Sequence, residues 1–235
     1  MRKLSLLLAV GILATVCSCK EEEPEKPKVI YEDTSKSRQS VKVDTTRIEI
    51  ADLPIHFPGT DYLIHPVGDF RANERSRTYG YERGGFTISN FSEYEITGFL
   101  HNLMFQKISS DSLVPLTDKR VLIQTATFLK LTADRTKQQI MVYTMADSDT
   151  NKDGRLDVND IRALYIGELG ADMIKISPEL HELVDWYVVE ANNRLYFRTI
   201  EDENKNGEID RNDVVHYFYL NLSANEWQPT EYNPV

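Results

Sequence analysis

The feature that most constrains this chain is a twelve-residue stretch that occurs twice. Asp149-Thr150-Asn151-Lys152-Asp153-Gly154-Arg155-Leu156-Asp157-Val158-Asn159-Asp160 places oxygen-bearing side chains at positions 1, 3, 5, 9 and 12, glycine at 6 and an aliphatic residue at 8. Asp202-Glu203-Asn204-Lys205-Asn206-Gly207-Glu208-Ile209-Asp210-Arg211-Asn212-Asp213 repeats every one of those features without a gap. A hard divalent cation of the calcium type takes about six to eight oxygens at roughly 2.3–2.6 Å, and donors at this spacing around a glycine turn can supply them. Each stretch is flanked by short apolar runs, Ile140–Met145 and Ile161–Ile166 around the first, Leu195–Ile200 and Val214–Leu222 around the second. Their β-branched and aromatic content predicts strands on both sides, so each loop joins strand to strand.

The positions divide into roles. In the first loop Asp149, Asn151 and Asp153 supply one side of a calcium shell, the backbone carbonyl of Arg155 adds an oxygen, and Asp157 and Asp160 close the other side directly or through water. In the second loop the same roles fall to Asp202, Asn204, Asn206, the carbonyl of Glu208, Asp210 and Asp213, giving two calcium sites in all. Leu156 and Ile209 are placed to pin each loop inward. The first loop offers four carboxylates and the second three, with Asn206 standing where the first has Asp153, which predicts tighter binding in the first. Position 12 is Asp in both, one methylene shorter than the usual bidentate Glu, so weak extracellular-type affinities of about 10⁻⁴ to 10⁻³ M are expected. Asp, Asn and Gly are also turn residues, and one such stretch alone would read equally as a polar hairpin connection; two gapless copies favour metal.

From about Arg47 onward the chain reads as strands. Tyr62-Leu63-Ile64-His65, Phe99 to Phe105, Val121-Leu122-Ile123, Ile140 to Tyr143, Trp186 to Val189, Leu195-Tyr196-Phe197 and His216 to Leu220 are short, aromatic and β-branched, with polar turns such as Ser109-Ser110-Asp111-Ser112 and Asn192-Asn193 between several of them. No dozen-residue segment shows helical apolar spacing, and the expectation is an all-β fold, with a short helix at Ser177-Pro178-Glu179-Leu180 from its Ser-Pro start signal. Three units, Phe105–Thr117, Tyr165–Ser177 and Phe218–Pro229, each run from a strand through a tight polar turn to a closing segment. They resemble the blade motif of TolB-like propellers, although the units are longer than usual blades and their turns lack the usual Asp-Gly. The calcium loops resemble the Asp-rich loops in integrin-type propeller blades. They share a loop with the EF-hand and the dockerin but lack the flanking helices of either. These resemblances imply antiparallel propeller-like blades or a β-meander carrying two strand-loop-strand calcium loops, with a β-sandwich as the alternative.

The start of the chain reads as an address. Met1-Arg2-Lys3 precedes an apolar run, Leu4 to Val16, of signal-peptide length and too short to span a bilayer as a helix. Val16-Cys17-Ser18-Cys19 resembles a bacterial lipobox, which implies cleavage before Cys19 and lipid attachment there, holding the protein at a membrane. Lys20-Glu21-Glu22-Glu23 resembles the acidic export tag of surface lipoproteins of Bacteroidota-type bacteria, implying an outer-membrane anchor facing the cell surface, with a periplasm-facing anchor as the alternative. The division expected is a signal peptide over 1–18, a charged disordered tether over 19–48 and an all-β calcium-binding domain over 49–235.

Composition narrows the function classes. The formal net charge is −10, and loss of Arg2 and Lys3 with the signal makes the chain more acidic still, which excludes a nucleic-acid-backbone binder. The two cysteines, Cys17 and Cys19, leave no disulfide for the folded part, so stability rests on a core and on metal. His56, His65, His101, His181 and His216 show no metal-ligand spacing and read as structural. Arg71, Arg75, Arg77 and Arg83 among Tyr79, Tyr81 and Phe86 form a loop patch, solvated or able to hold a glycan or protein partner. No catalytic constellation is present. The leading reading is a non-enzymatic, calcium-stabilised binding or scaffold lipoprotein; a calcium-dependent adhesin and a carboxylate-based hydrolase are the alternatives.

Overall fold

The structure is a computed structural model that describes residues 27–31, 47–71 and 87–235. The signal peptide, Cys19, the Lys20 to Glu23 tag, Arg75, Arg77, Arg83 and the aromatic residues among those arginines lie outside the described residues.

The described strands run in chain order as β1 (Arg47–Ala51), β2 (Ile55–His56), β3 (Tyr62–Arg71), β4 (Ser89–Ser92), β5 (Glu95–Lys107), β6 (Leu113–Pro115) and β7 (Leu122–Phe128). Helix α1 (Lys130–Thr136) follows, then β8 (Ile140–Ala146), β9 (Arg162–Glu168) and β10 (Met173–Lys175). The chain closes with β11 (His181–Val189), β12 (Arg194–Glu201), β13 (Val214–Asn221) and β14 (Thr230–Tyr232). The fold is all-β, and every strand pairing is antiparallel. Ten strands form one open sheet in the order β1-β3-β5-β7-β8-β9-β10, with β2, β4 and β6 pairing at its sides. The remaining four form a meander, β11-β12-β13-β14.

Burial shows how the two sheets are joined. Every residue of β8 is buried, which requires cover on both of its faces. Met141, Tyr143 and Met145 point into a cluster with Phe57, Ile64, Leu100, Leu103, Ile123 and Phe128, drawn from β3, β5, β7 and the loop after β2. Ile140 and Val142 point the other way and join Leu164 and Ile166 of β9 against Leu183, Leu195, Phe197, Phe218 and Leu220 of the second sheet. The strand period of two thus divides β8 between two cores. Register shifts at Val67/Gly68, Thr97/Leu100 and Ile123/Thr125 mark bulges, which bend strands and let one face of a long sheet enclose the first cluster.

Three expectations need correction. The strand-turn-strand units exist as β5-β6, β9-β10 and β13-β14, but the first two lie in one continuous ten-stranded sheet, so the architecture is an open pair of sheets and not a ring of separate blades. The helix expected at Ser177 is a turn, with Leu180 at φ 58°. Its Ser177 hydroxyl, needed as an N-cap, instead accepts the Leu164 amide at 3.0 Å, so the cap is spent on β9. The helix that does form, α1, has no side-chain cap at Leu129 and ends on left-handed Lys137, and it is held by packing of Leu129 and Thr132, both buried. Finally, the tether is not wholly tether: Lys28 to Tyr31 lies against both twelve-residue loops, and β1 starts at Arg47.

Candidate metal centre

Each twelve-residue stretch connects two paired strands. The first lies between β8 and β9, whose last pair is Ala146 with Arg162; the second lies between β12 and β13, whose last pair is Glu201 with Val214. Hairpin ends this far apart in sequence need a loop that winds on itself, and the side-chain oxygens do the winding.

The two loops share their hydrogen bonds position by position. Asp149 accepts the amides of Asp153 and Gly154 at 3.2 and 2.9 Å, as Asp202 accepts those of Asn206 and Gly207 at 3.2 and 2.7 Å. Asn151 accepts the Asp153 amide at 3.0 Å, and Asn204 accepts the Asn206 amide at 2.9 Å. Asp153 accepts the Arg155 amide and Asn206 the Glu208 amide, both at 2.7 Å. At position 9, Asp157 accepts the Asn159 amide at 2.9 Å and Asp210 the Asn212 amide at 2.7 Å. At position 12, Asp160 accepts the Asp157 amide at 2.9 Å and Asp213 the Asp210 amide at 2.6 Å. The backbone agrees too: position 4 is left-handed in both (Lys152 φ 55°, Lys205 φ 54°), as is the glycine at position 6 (Gly154 φ 84°, Gly207 φ 85°). Two sequences that share few side chains outside positions 1, 3, 6, 9 and 12 therefore adopt one conformation. Leu156 and Ile209 are half-buried beneath them.

This donor set fits calcium. A carboxylate oxygen has two lone-pair directions, so most of these oxygens hold one amide and keep capacity for a cation. Asp160 and Asp202 are each 1% exposed. Burial, reinforced by the nearby Asp149 charge, pushes the Asp160 carboxyl above the usual carboxylate range even though three backbone amides oppose the shift. A divalent cation among these carboxylates is the natural counterweight to such crowding. Asp160 also differs from Asp213: its Oδ1 takes the Thr150 amide at 2.8 Å and the Asn151 amide at 3.3 Å. It is therefore mainly a brace. Its charge still lies in the first loop, so four carboxylates, Asp149, Asp153, Asp157 and Asp160, stand there against Asp202, Asp210 and Asp213 in the second, and the expected ranking keeps its direction.

The stretch Lys28 to Tyr31 ties the loops together. The Lys28 and Ile30 amides donate to Asn159 and Thr150 carbonyls of the first loop, at 3.1 and 2.9 Å, while the Val29 amide between them donates to Gly207 of the second at 2.9 Å. That is the alternation of an extended strand, whose successive amides face opposite sides. The Thr150 hydroxyl returns a bond to the Lys28 carbonyl at 3.0 Å, Lys28 pairs with Glu208 at 3.5 Å, and Val29 is buried. Burial and the adjacent Asp202 carboxylate push the Tyr31 phenol up to about 12.

The base of the first loop is pinned as well. Asp147 accepts from Tyr165 at 2.6 Å and from Lys175 at 2.9 Å; burial pushes its carboxyl up, but these donors together outweigh it and hold it below the usual range. Arg162, the first residue of β9, donates its amide to buried Glu182 at 2.7 Å and a guanidinium N–H to the Leu183 carbonyl at 2.6 Å, linking the two sheets where the loop ends.

The histidines divide. His56 contacts the Thr60 carbonyl, His65 the Gln106 side chain and His101 Asp69, as structural residues do. His181 and His216, expected to be structural too, converge on Glu201 at the edge of the second loop, with ring centroids 5.0 Å apart. Burial holds His181 below the usual histidine range against the pull of Glu201. Linear spacing hides this cluster because its members lie on three successive strands.

Comparison with protein-family models, with curated proteins and with solved structures finds no match for this chain.

Proposed function

We propose that this protein is a calcium-binding, lipid-anchored module of the cell envelope, a binding or scaffold unit in which calcium is mainly structural. The observation that carries the reading is the identical winding of the two loops, residue by residue, around carboxylates of which one in each is fully buried. Asp149, Asn151, Asp153, Asp157 and the Arg155 carbonyl would hold one ion. Asp202, Asn204, Asn206, Asp210, Asp213 and the Glu208 carbonyl would hold the other. Bound calcium would supply positive charge that fixes both hairpin ends and the extended stretch between them. The membrane anchor rests on the resemblance of Val16 to Cys19 to a lipobox, and the absence of disulfide cysteines from the folded part gives calcium its bracing role.

Calorimetric titration with calcium tests this reading. Two ions per chain are expected, the tighter in the first loop, with Asp153→Ala lowering affinity more than Asn206→Ala because it removes a formal charge as well as an oxygen. A smaller loss in the Asp153 variant would reverse the ranking, and no calcium binding at all would remove the proposal.

A further inference from the structure

We propose that His181, Glu201 and His216 form a site for a divalent transition-metal ion of the zinc type, separate from the two calcium loops. The sheet register builds it. His181 of β11 pairs with Glu201 of β12, and His216 of β13 pairs with Thr199, two residues before Glu201 on the same face of β12. Three side chains from three neighbouring strands therefore stand together, and their donor atoms lie within 4.8 Å of one another.

The two separations between carboxylate and imidazole suit one small ion. Glu201 Oε2 lies 3.7 Å from His181 Nε2 and 3.1 Å from His216 Nε2. Four donors at tetrahedral angles and about 2.0–2.2 Å from a zinc ion are roughly 3.3 Å apart, a value these two distances bracket. Calcium is the poorer match, since it selects oxygen, whereas paired imidazoles with one carboxylate suit zinc, copper or nickel.

The groups behind the donors make the case stronger than the donors alone. His181 Nδ1 lies 3.0 Å from the hydroxyl of fully buried Thr199, and His216 Nδ1 lies 2.7 Å from Glu231 of β14. His216 Nε2 donates to Glu201 Oε2 at 3.1 Å, and a bound ion would replace that proton, with a proton on each Nδ1 donated to the oxygens behind it and both Nε2 lone pairs turned to the metal. A metal-binding histidine is oriented in this way, its far nitrogen held by a carboxylate or other acceptor that fixes tautomer and ring plane. Here two rings are held, both with the same nitrogen turned inward. Three protein donors leave the fourth position to water.

The test uses protein kept in a large excess of calcium, so that zinc entering the loops is suppressed. Zinc titration calorimetry should then find one further ion per chain, and cobalt should give the intense visible absorption of a tetrahedral centre. Glu231→Gln, which changes only the group behind His216, should weaken zinc by about 10–100-fold. His181→Ala and His216→Ala should weaken it further, and His216→Gln serves if the alanine variant does not fold. Asp149→Ala should leave zinc binding unchanged while calcium binding in the first loop falls, which separates failure of this site from failure of the loops. No zinc binding in the calcium-saturated protein, or binding that survives both histidine substitutions, would overturn the proposal and leave Glu201 as an ion-pair partner of the two rings.

Discussion

Chelating calcium is expected to lower the melting temperature by roughly 10–20 °C. An ion that binds only the folded chain adds about 2.7 kcal/mol at a hundredfold excess over its dissociation constant, and two sites together give about 5 kcal/mol. For a domain of this length each kcal/mol moves the midpoint by about 2–4 °C. The structure says where that energy acts. Without the ions, Asp149, Asp153, Asp157 and Asp160 repel one another across one hairpin end, and Asp202, Asp210 and Asp213 do so across the other. The extended stretch takes its amide acceptors, Asn159, Thr150 and Gly207, from those same loops, so loosening them releases it as well. Scanning calorimetry in calcium and in EGTA, at matched ionic strength so that simple charge screening is held fixed, measures the difference. A shift of only a degree or two would mean that the loops hold without metal.

The second large effect is a contrast between two glycines at the same loop position. Gly154 and Gly207 have φ 84° and 85°, so alanine at either incurs the left-handed penalty of about 1–2 kcal/mol. Their surroundings differ. A Cβ at Gly154 would meet nothing within 4 Å, whereas one at Gly207 would stand 2.5 Å from the Val29 carbonyl oxygen, a backbone atom that can yield only if the extended stretch moves. Gly207→Ala should therefore lose about 1–3 kcal/mol more than Gly154→Ala, the usual range for overpacking at a tight contact. It should also weaken calcium in the second loop more than Gly154→Ala weakens it in the first. Denaturant unfolding of the two variants in calcium gives the comparison, and equal losses would mean that Val29 does not pack on Gly207 in solution.

Much of this arrangement was legible in the sequence, for identifiable reasons. Strands announce themselves by short β-branched and aromatic runs, and the all-β reading followed from Ile140 to Tyr143 and its counterparts. The loops were legible as a repeated pair because Asp, Asn and Gly recur at fixed spacing, whereas the bonds of Asp149 and Asp202 to the glycine amides came only with the structure. What escaped depends on interactions that leave no local trace. The stretch Lys28 to Tyr31 binds through main-chain amides, which every non-proline residue has, and its short strand signal, Val29-Ile30-Tyr31, is hidden among charged, proline-bearing neighbours that read as solvated. The cluster of His181, Glu201 and His216 exists only once three strands have taken their register. Ser177-Pro178 carried a correct helix signal that lost to a tertiary contact with Leu164. The strand-turn-strand units were found, but whether such units form separate blades or one sheet is decided by pairings such as β7 with β8, which no single unit contains.

If the two loops hold calcium, the extended stretch that ties them makes two amides the reporters of the metal. Hydrogen exchange at Val29 and Ile30, measured in calcium and again after EGTA, reads both partners of the tie at once, since one amide bonds to Gly207 and the other to Thr150. Slow exchange at both in calcium, becoming fast on chelation, is the expected result; equal rates in the two conditions, whether fast or slow, would contradict it.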